Sequence, residues 1–250
     1  MIRVTKLQIP ALPTQKPRRL YVYLPRGYSR CEQRYPVLYM FDGHNVFYDT
    51  HATYGKSWGM KEYLEKTGIP LILVAVECNP EGFQRLSEYS PWNFHAPRPV
   101  RDVKGRGKIT MDWFTQSLKP EIDKTYRTFP DREHTLIAGS SMGGLMAIYA
   151  ATAYNTVFSG AAALSPSLWV SPKGMAELIK KHPLANPTRI YLDMGTGETG
   201  GSTLPLTGMF ETAKRLSKAG ASVSANVIPG ALHREADWEK RIPAFLQYLL

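Results

Sequence analysis

The 250-residue chain is predicted to be an α/β protein built on a mostly parallel sheet. Three observations carry that prediction. Two runs, Pro36–Phe41 and Leu71–Val76, are apolar almost throughout, as strands covered on both faces are. From the first of them onward, strand-like runs alternate with stretches of helical spacing, and alternation of that kind builds parallel sheets with helices on both faces. Finally, Thr135–Ala138 leads through a glycine-bounded turn directly into Gly144–Ala151, a strand–turn–helix sequence.

In chain order, Arg3–Ile9 alternates weakly and reads as an edge strand. Arg19–Leu24 alternates well, with aromatics and valine, and is expected to pair with it antiparallel. Pro36–Phe41 is the third strand, followed by helical spacing around Trp58–Leu64; Leu71–Val76 is the fourth strand. Glu77–Lys108 has no period and is rich in Pro, Arg, Gly and aromatics. A loop of that length is usually functional or disordered, and its aromatics make it the expected wall of a substrate pocket. Thr110–Tyr126 has one apolar helical face, with a kink expected at Pro120. The strand–turn–helix follows. Phe158–Leu164, Arg189–Met194 and Ser222–Ile228 complete the strands, separated by helices over Pro172–Lys181 and Leu206–Ala219; Ala236–Leu250 reads as one terminal helix. The sum is about eight strands in a single domain over residues 1–250, with no repeat and no visible lid insertion.

Composition narrows the function. The chain is 43% hydrophobic and 21% charged, ordinary for a globular domain. No apolar run is long enough to span a bilayer, and Met1–Leu7 has no signal-peptide core, so a cytoplasmic protein without membrane contact is expected. The net charge of +10 comes without a dense basic run or a nucleic-acid motif. It reads as a basic surface, able to steer an anionic substrate. Cys31 and Cys78 are the only cysteines and read as free thiols. Neither a cofactor nor a metal is expected, and oligomeric state is not legible.

Gly139-Ser140-Ser141-Met142-Gly143 is a G-x-S-x-G sequence in the strand–turn–helix setting that gives the pattern meaning. There the turn strains the central serine and exposes its hydroxyl beside a helix N-terminus. Ser141 is the expected nucleophile, and Ser140, one residue out of frame, a structural turn residue. A serine hydroxyl needs a base to take its proton. His233, just past the last strand, is the expected base. The acid has to reach that imidazole from a loop; Glu198, in the Gly/Thr loop after Arg189–Met194, is preferred to Asp193 inside the strand. The amides of Met142 and His44 are the expected oxyanion donors. The His44 imidazole, a lone histidine, provides no ligand set for a metal.

Together Val37–Asn45, Ala138–Gly144, Ser165–Trp169, Gly195–Glu198 and Gly230–His233 resemble the putative esterase family of α/β-hydrolases. That family includes esterase D, feruloyl esterase modules, siderophore esterases and mycolyltransferases. The resemblance implies the α/β-hydrolase fold and the same Ser141, His233 and Glu198, with His44 and Met142 as oxyanion donors. It also implies substrate contacts at Arg85, Glu88 and Tyr89, to which Trp169 is added. The expected activity is hydrolysis of a small or medium acyl ester through an acyl-serine, with a sugar-linked or aromatic ester suggested by the aromatic loop. An acyltransferase or thioesterase would use the same triad, and a non-catalytic binding protein would keep only the fold.

Overall fold

A computed structural model describes all residues from Met1 to Leu250. Ten strands and nine α-helices follow one another as β1 (Ile2–Leu7), β2 (Arg18–Tyr23), β3 (Val37–Met40), α1 (Met60–Thr67), β4 (Ile72–Val76), α2 (Gln84–Glu88), β5 (Phe94–Ala96), β6 (Arg101–Val103), α3 (Gly107–Trp113), α4 (Lys119–Thr125), β7 (Thr135–Ser140), α5 (Met142–Ala153), β8 (Gly160–Leu164), α6 (Pro172–Lys181), β9 (Arg189–Gly195), α7 (Leu204–Lys218), β10 (Ser222–Ile228), α8 (Glu235–Glu239) and α9 (Ile242–Leu249).

Eight strands form one sheet in the order β1-β2-β4-β3-β7-β8-β9-β10. β2 is antiparallel to both β1 and β4, and every pair from β4 to β10 is parallel. The alternation of side chains along each strand divides the core in two. Val37, Tyr39, Ile72 and Val74 face a cluster completed by α3 to α7, whereas Leu38, Met40, Leu73 and Ala75 face a smaller one completed by α1, α8 and α9. β3, β4, β7 and β8 are buried along their whole length, which is why they read as continuous apolar runs.

Three sequence expectations need revision. Glu77–Lys108 is not structureless: it holds α2, the β5–β6 hairpin and the start of α3. These elements of three to seven residues are too short to show a period. The helix over Thr110–Tyr126 does not simply kink. A π-helical turn, Phe114–Leu118, joins α3 to α4, just ahead of Pro120, whose missing N–H and bulky ring disrupt α-helical bonding to the preceding turn. The terminal helix is two helices, broken between Glu239 and Ile242, with Pro243 in the first turn of α9 where its missing N–H costs nothing.

Candidate active site

The C-terminal ends of the parallel strands meet at one cavity of about 520 Å³, lined by Ser141, His233, His44, Arg85 and twelve other residues. β7 reaches it through Ser140, and Ser141 turns into α5 with φ 58° and ψ −122°. That backbone region is close to reserved for glycine and costs on the order of 1–3 kcal/mol. The bend works because strand and helix touch: a Cβ on Gly139 would lie 2.6 Å from the Gly143 carbonyl carbon, and one on Gly143 3.0 Å from Phe41 Cβ. The Ser141 amide donates to the Leu164 carbonyl of β8 (2.9 Å), and its carbonyl accepts from Ser167 N–H (3.0 Å). Its Oγ lies 3.4 Å from Ser167 Oγ and makes no hydrogen bond to His233.

Glu198 and His233 arrive on two loops stitched to each other. Gly197 N–H donates to the Ala231 carbonyl (3.0 Å), and Gly230 N–H to Thr196 Oγ1 (2.8 Å). His233 Nδ1 then meets Glu198 Oε2 at 2.5 Å. Glu198 Oε1 accepts from Gly195 N–H (2.5 Å) and Ser165 Oγ (2.7 Å). Burial pushes the Glu198 carboxyl up, but the hydrogen bonds from His233, Ser165 and Gly195 prevail and hold it below the usual glutamate range. Asp193, the rival acid in the sequence, is fully buried and makes no hydrogen bond to His233. It pairs with Arg241 Nη1 at 2.8 Å and accepts from Tyr191 Oη at 3.1 Å. Burial raises its pKa to about 6, against the pull of Arg241.

On the opposite wall, Asp42 leaves β3 in a left-handed conformation, φ 56°, and Arg85 clamps both its oxygens at 2.7 Å. Burial pushes the Asp42 carboxyl up, and the Arg85 charge and hydrogen bonds bring it below the usual range. The neighbouring His44 amide has no backbone or side-chain acceptor, and the Met142 amide, as the first of α5, has none within its helix. His44 Nε2 meets Thr53 Oγ1 at 3.0 Å, and burial lowers the imidazole pKa.

Folding gives His44 neighbours that the sequence did not reveal: ligand atoms of Asp42, His44 and Cys78 lie within 4.8 Å of one another. The Arg85 guanidinium already holds both Asp42 oxygens and repels a cation, and burial pushes the Cys78 thiol well above its usual range. The donor set therefore suits an ion pair better than a metal.

The expected substrate contacts divide. Arg85 lines the cavity, and its Nη1 makes no hydrogen bond within the protein. Glu88 is corrected: it is fully buried, and Arg18 (2.6 and 2.8 Å) and Asn79 (2.9 Å) take its carboxylate. Tyr89 is corrected as well. It is buried against Phe41, and its hydroxyl accepts from the Asp42 amide at 3.2 Å. Trp169 stands outside this cavity, edge-on to Phe94, and lines a separate one of about 550 Å³ between α6 and α7. Trp92 and Phe94 are likewise absent from the lining, so the long loop contributes Glu77, Cys78, Asn79, Pro80, Gly82 and Arg85 rather than its aromatics. Sequence reading missed Tyr54 and Trp238, which do line the cavity. It also missed Arg241, for which a cationic position in a terminal helix gives no signal.

A sequence model of the family described as "Putative esterase" matches residues 13–249. The chain belongs to that family. Among curated proteins it is similar to an uncharacterised protein of Bacillus subtilis, 27% identical over 183 residues, 72% of this chain and 69% of that one. It is also similar to a Mycobacterium tuberculosis esterase, 28% identical over 190 residues, 73% of this chain but only 36% of the relative. Its fold is shared with an IroE-like serine hydrolase from Shewanella oneidensis, with a TM-score of 0.77 and 20% identity across 100% of this chain and 79% of that one. The family member described here is thus an ester hydrolase on an α/β-hydrolase fold. No helix is long and apolar enough to cross a membrane.

Proposed function

We propose that the chain, read as one domain over residues 1–250, is a serine carboxylic-ester hydrolase with Ser141 as nucleophile, His233 as base and Glu198 as acid. The observation that carries the reading is the 2.5 Å contact between Glu198 Oε2 and His233 Nδ1, opening on the cavity that also holds the strained Ser141. A carboxylate on Nδ1 leaves Nε2 as the base nitrogen. The hydroxyl of Ser141 moves from Ser167 to that nitrogen as substrate enters; such bonds commonly tighten only in the substrate complex. His233 takes the proton as Ser141 Oγ attacks the ester carbon, and the carbonyl oxygen gathers charge toward the His44 and Met142 amides. The proton then leaves with the alcohol, and water repeats the cycle on the acyl-serine.

The lining combines charged and polar groups, Asp42, Glu77, Arg85 and Asn45 among them, with the aromatic rings of Tyr54 and Trp238, which suits a polar ester; the loop aromatics that suggested a stacked ring lie elsewhere. Arg85 Nη1 offers a contact to a carboxylate or other anionic group on the substrate. Ser141→Ala is expected to abolish turnover of p-nitrophenyl acetate and labelling by a fluorophosphonate probe. Wild-type turnover in that variant would end the proposal.

A further inference from the structure

Ser165 stands at the C-terminal end of β8 with φ 46°, in the left-handed region that a non-glycine residue adopts only under constraint. Its amide donates to the Asp193 carbonyl at 2.9 Å. Three side chains converge on its hydroxyl: Trp238 Nε1 at 3.0 Å, Arg241 Nη1 at 3.1 Å and Glu198 Oε1 at 2.7 Å. Indole and guanidinium nitrogens can only donate, and a serine oxygen has two lone pairs and one hydrogen. Trp238 and Arg241 occupy both lone pairs. The hydrogen has one direction left, toward Glu198.

We infer that Ser165, oriented by Trp238 and Arg241, is a one-way hydrogen-bond donor that saturates Glu198 Oε1 and so commits Oε2 to His233. The inference rests on reading Glu198 as the triad acid. With Ser165 and Gly195 N–H both donating to Oε1, a protonated Glu198 would find no acceptor there. The two donors favour the ionised form and hold the carboxylate in one rotamer. Asp193 fixes Arg241 (2.8 Å), Arg241 fixes Ser165, and Ser165 fixes Glu198. Arg241 acts on Glu198 through the serine, since its own Nη2 stops 3.8 Å away, buried and without a hydrogen-bond partner. The titratable group facing Glu198 is His233 from the loop before α8, and the charged one is Arg241 before α9, already paired with Asp193 of β9. Ser165 and Arg241 are positioning residues, since neither lines the cavity; Trp238 lines it and meets the His233 ring edge-on, centroids 5.0 Å apart, so it supports the base as well as the serine.

The test follows the Glu198 carboxyl carbon by 13C NMR through an acid titration, beside steady-state kinetics, in wild type, Ser165→Ala and Trp238→Phe. Removing a donor to the ionised form raises a carboxyl pKa. The Glu198 midpoint should rise by roughly half to one unit in Ser165→Ala. It should rise less in Trp238→Phe, which keeps a ring beside Trp58 but frees the serine hydroxyl to turn. In Ser165→Ala, kcat should fall about tenfold with KM within about twofold. Should Ser165→Ala fail to fold, the Glu198 midpoint in Trp238→Phe decides, since kcat in that variant also reports the altered contact with the His233 ring. An unmoved midpoint, with kcat falling only in step with thermal stability, overturns the inference. Because the titration needs no ester, a protein that shows the shift but neither turns over esters nor takes a fluorophosphonate label would sink the hydrolase reading and leave standing only the one-way donation from Ser165 to Glu198.

Discussion

The two walls of the cavity are built on different plans. On the acid wall, β9, β10 and α8 bring every oxygen of Glu198 against a donor, and the loops carrying Glu198 and His233 are bonded to each other. On the wall formed by β3, β4 and α2, two ion pairs are closed, Asp42 with Arg85 and Glu77 with Arg19 of β2, but donors remain open: the His44 amide and Arg85 Nη1. A closed set of bonds fixes a charge in place before a reaction starts. An open set is what a wall needs if it is to bind a charge that the substrate brings or develops. Under the proposed function, that difference would give positioning of the base to one wall and recognition of the ester to the other.

If that division holds, the largest loss comes from the acid wall and appears in kcat. Glu198→Gln keeps the shape but removes the charge and permits the wrong imidazole tautomer. A fall in kcat of about 10²–10⁴-fold is expected with KM nearly constant. A KM effect of similar size would mean that the walls share their work. Next in size is Arg85→Met on the opposite wall. Its effect should fall on KM, rising roughly tenfold or more for an ester carrying a carboxylate, in keeping with loss of one charged hydrogen bond. Neutral p-nitrophenyl acetate should show little change. Because Asp42 would be left buried without its partner, the single variant is expected to lose about 1–3 kcal/mol of stability by denaturant titration. Adding Asp42→Asn should recover most of that loss without restoring the KM. Equal KM changes for both esters would break the assignment of Arg85 to recognition.

The walls also differ in how much of them the sequence disclosed. That Ser141 and His233 would share one cavity, with Glu198 beside His233, was legible because each follows its own strand. The sheet was legible for a related reason: strands buried on both faces carry few polar residues, and β3, β4 and β8 read as apolar runs. The partners of those residues were not legible. Arg241 and Trp238 reach Ser165 across more than seventy positions of chain, and no local pattern encodes that contact. Glu88 misled because a carboxylate that pairs with a buried arginine looks, in sequence, like one that faces a substrate. Trp169 misled because an exposed aromatic carries no record of which cavity it borders.

The smallest effect tests whether the acid wall is closed beyond Glu198 itself. Asp237 Oδ2 accepts from the Leu232 amide (3.3 Å) and Arg234 Nε (2.7 Å), and Oδ1 accepts from Lys240 Nζ (3.1 Å). It therefore pins the residues on either side of His233. Hydrogen bonds from Arg234, resisted by burial and reinforced by Lys240, bring its pKa down to about 2. A carboxyl depressed on folding adds stability above its unfolded pKa, near 3.9, and that contribution is lost as pH falls through about 2. Asp237→Asn should accordingly melt a few degrees below wild type at pH 7, with the gap narrowing from pH 4 downward and closing near pH 2. If the pinning matters to the base, kcat should drop severalfold at pH 7 while KM stays put. A melting difference that persists unchanged at pH 2 would mean that packing, and not the charge on Asp237, holds the His233 loop, and the closed wall would then end at Glu198.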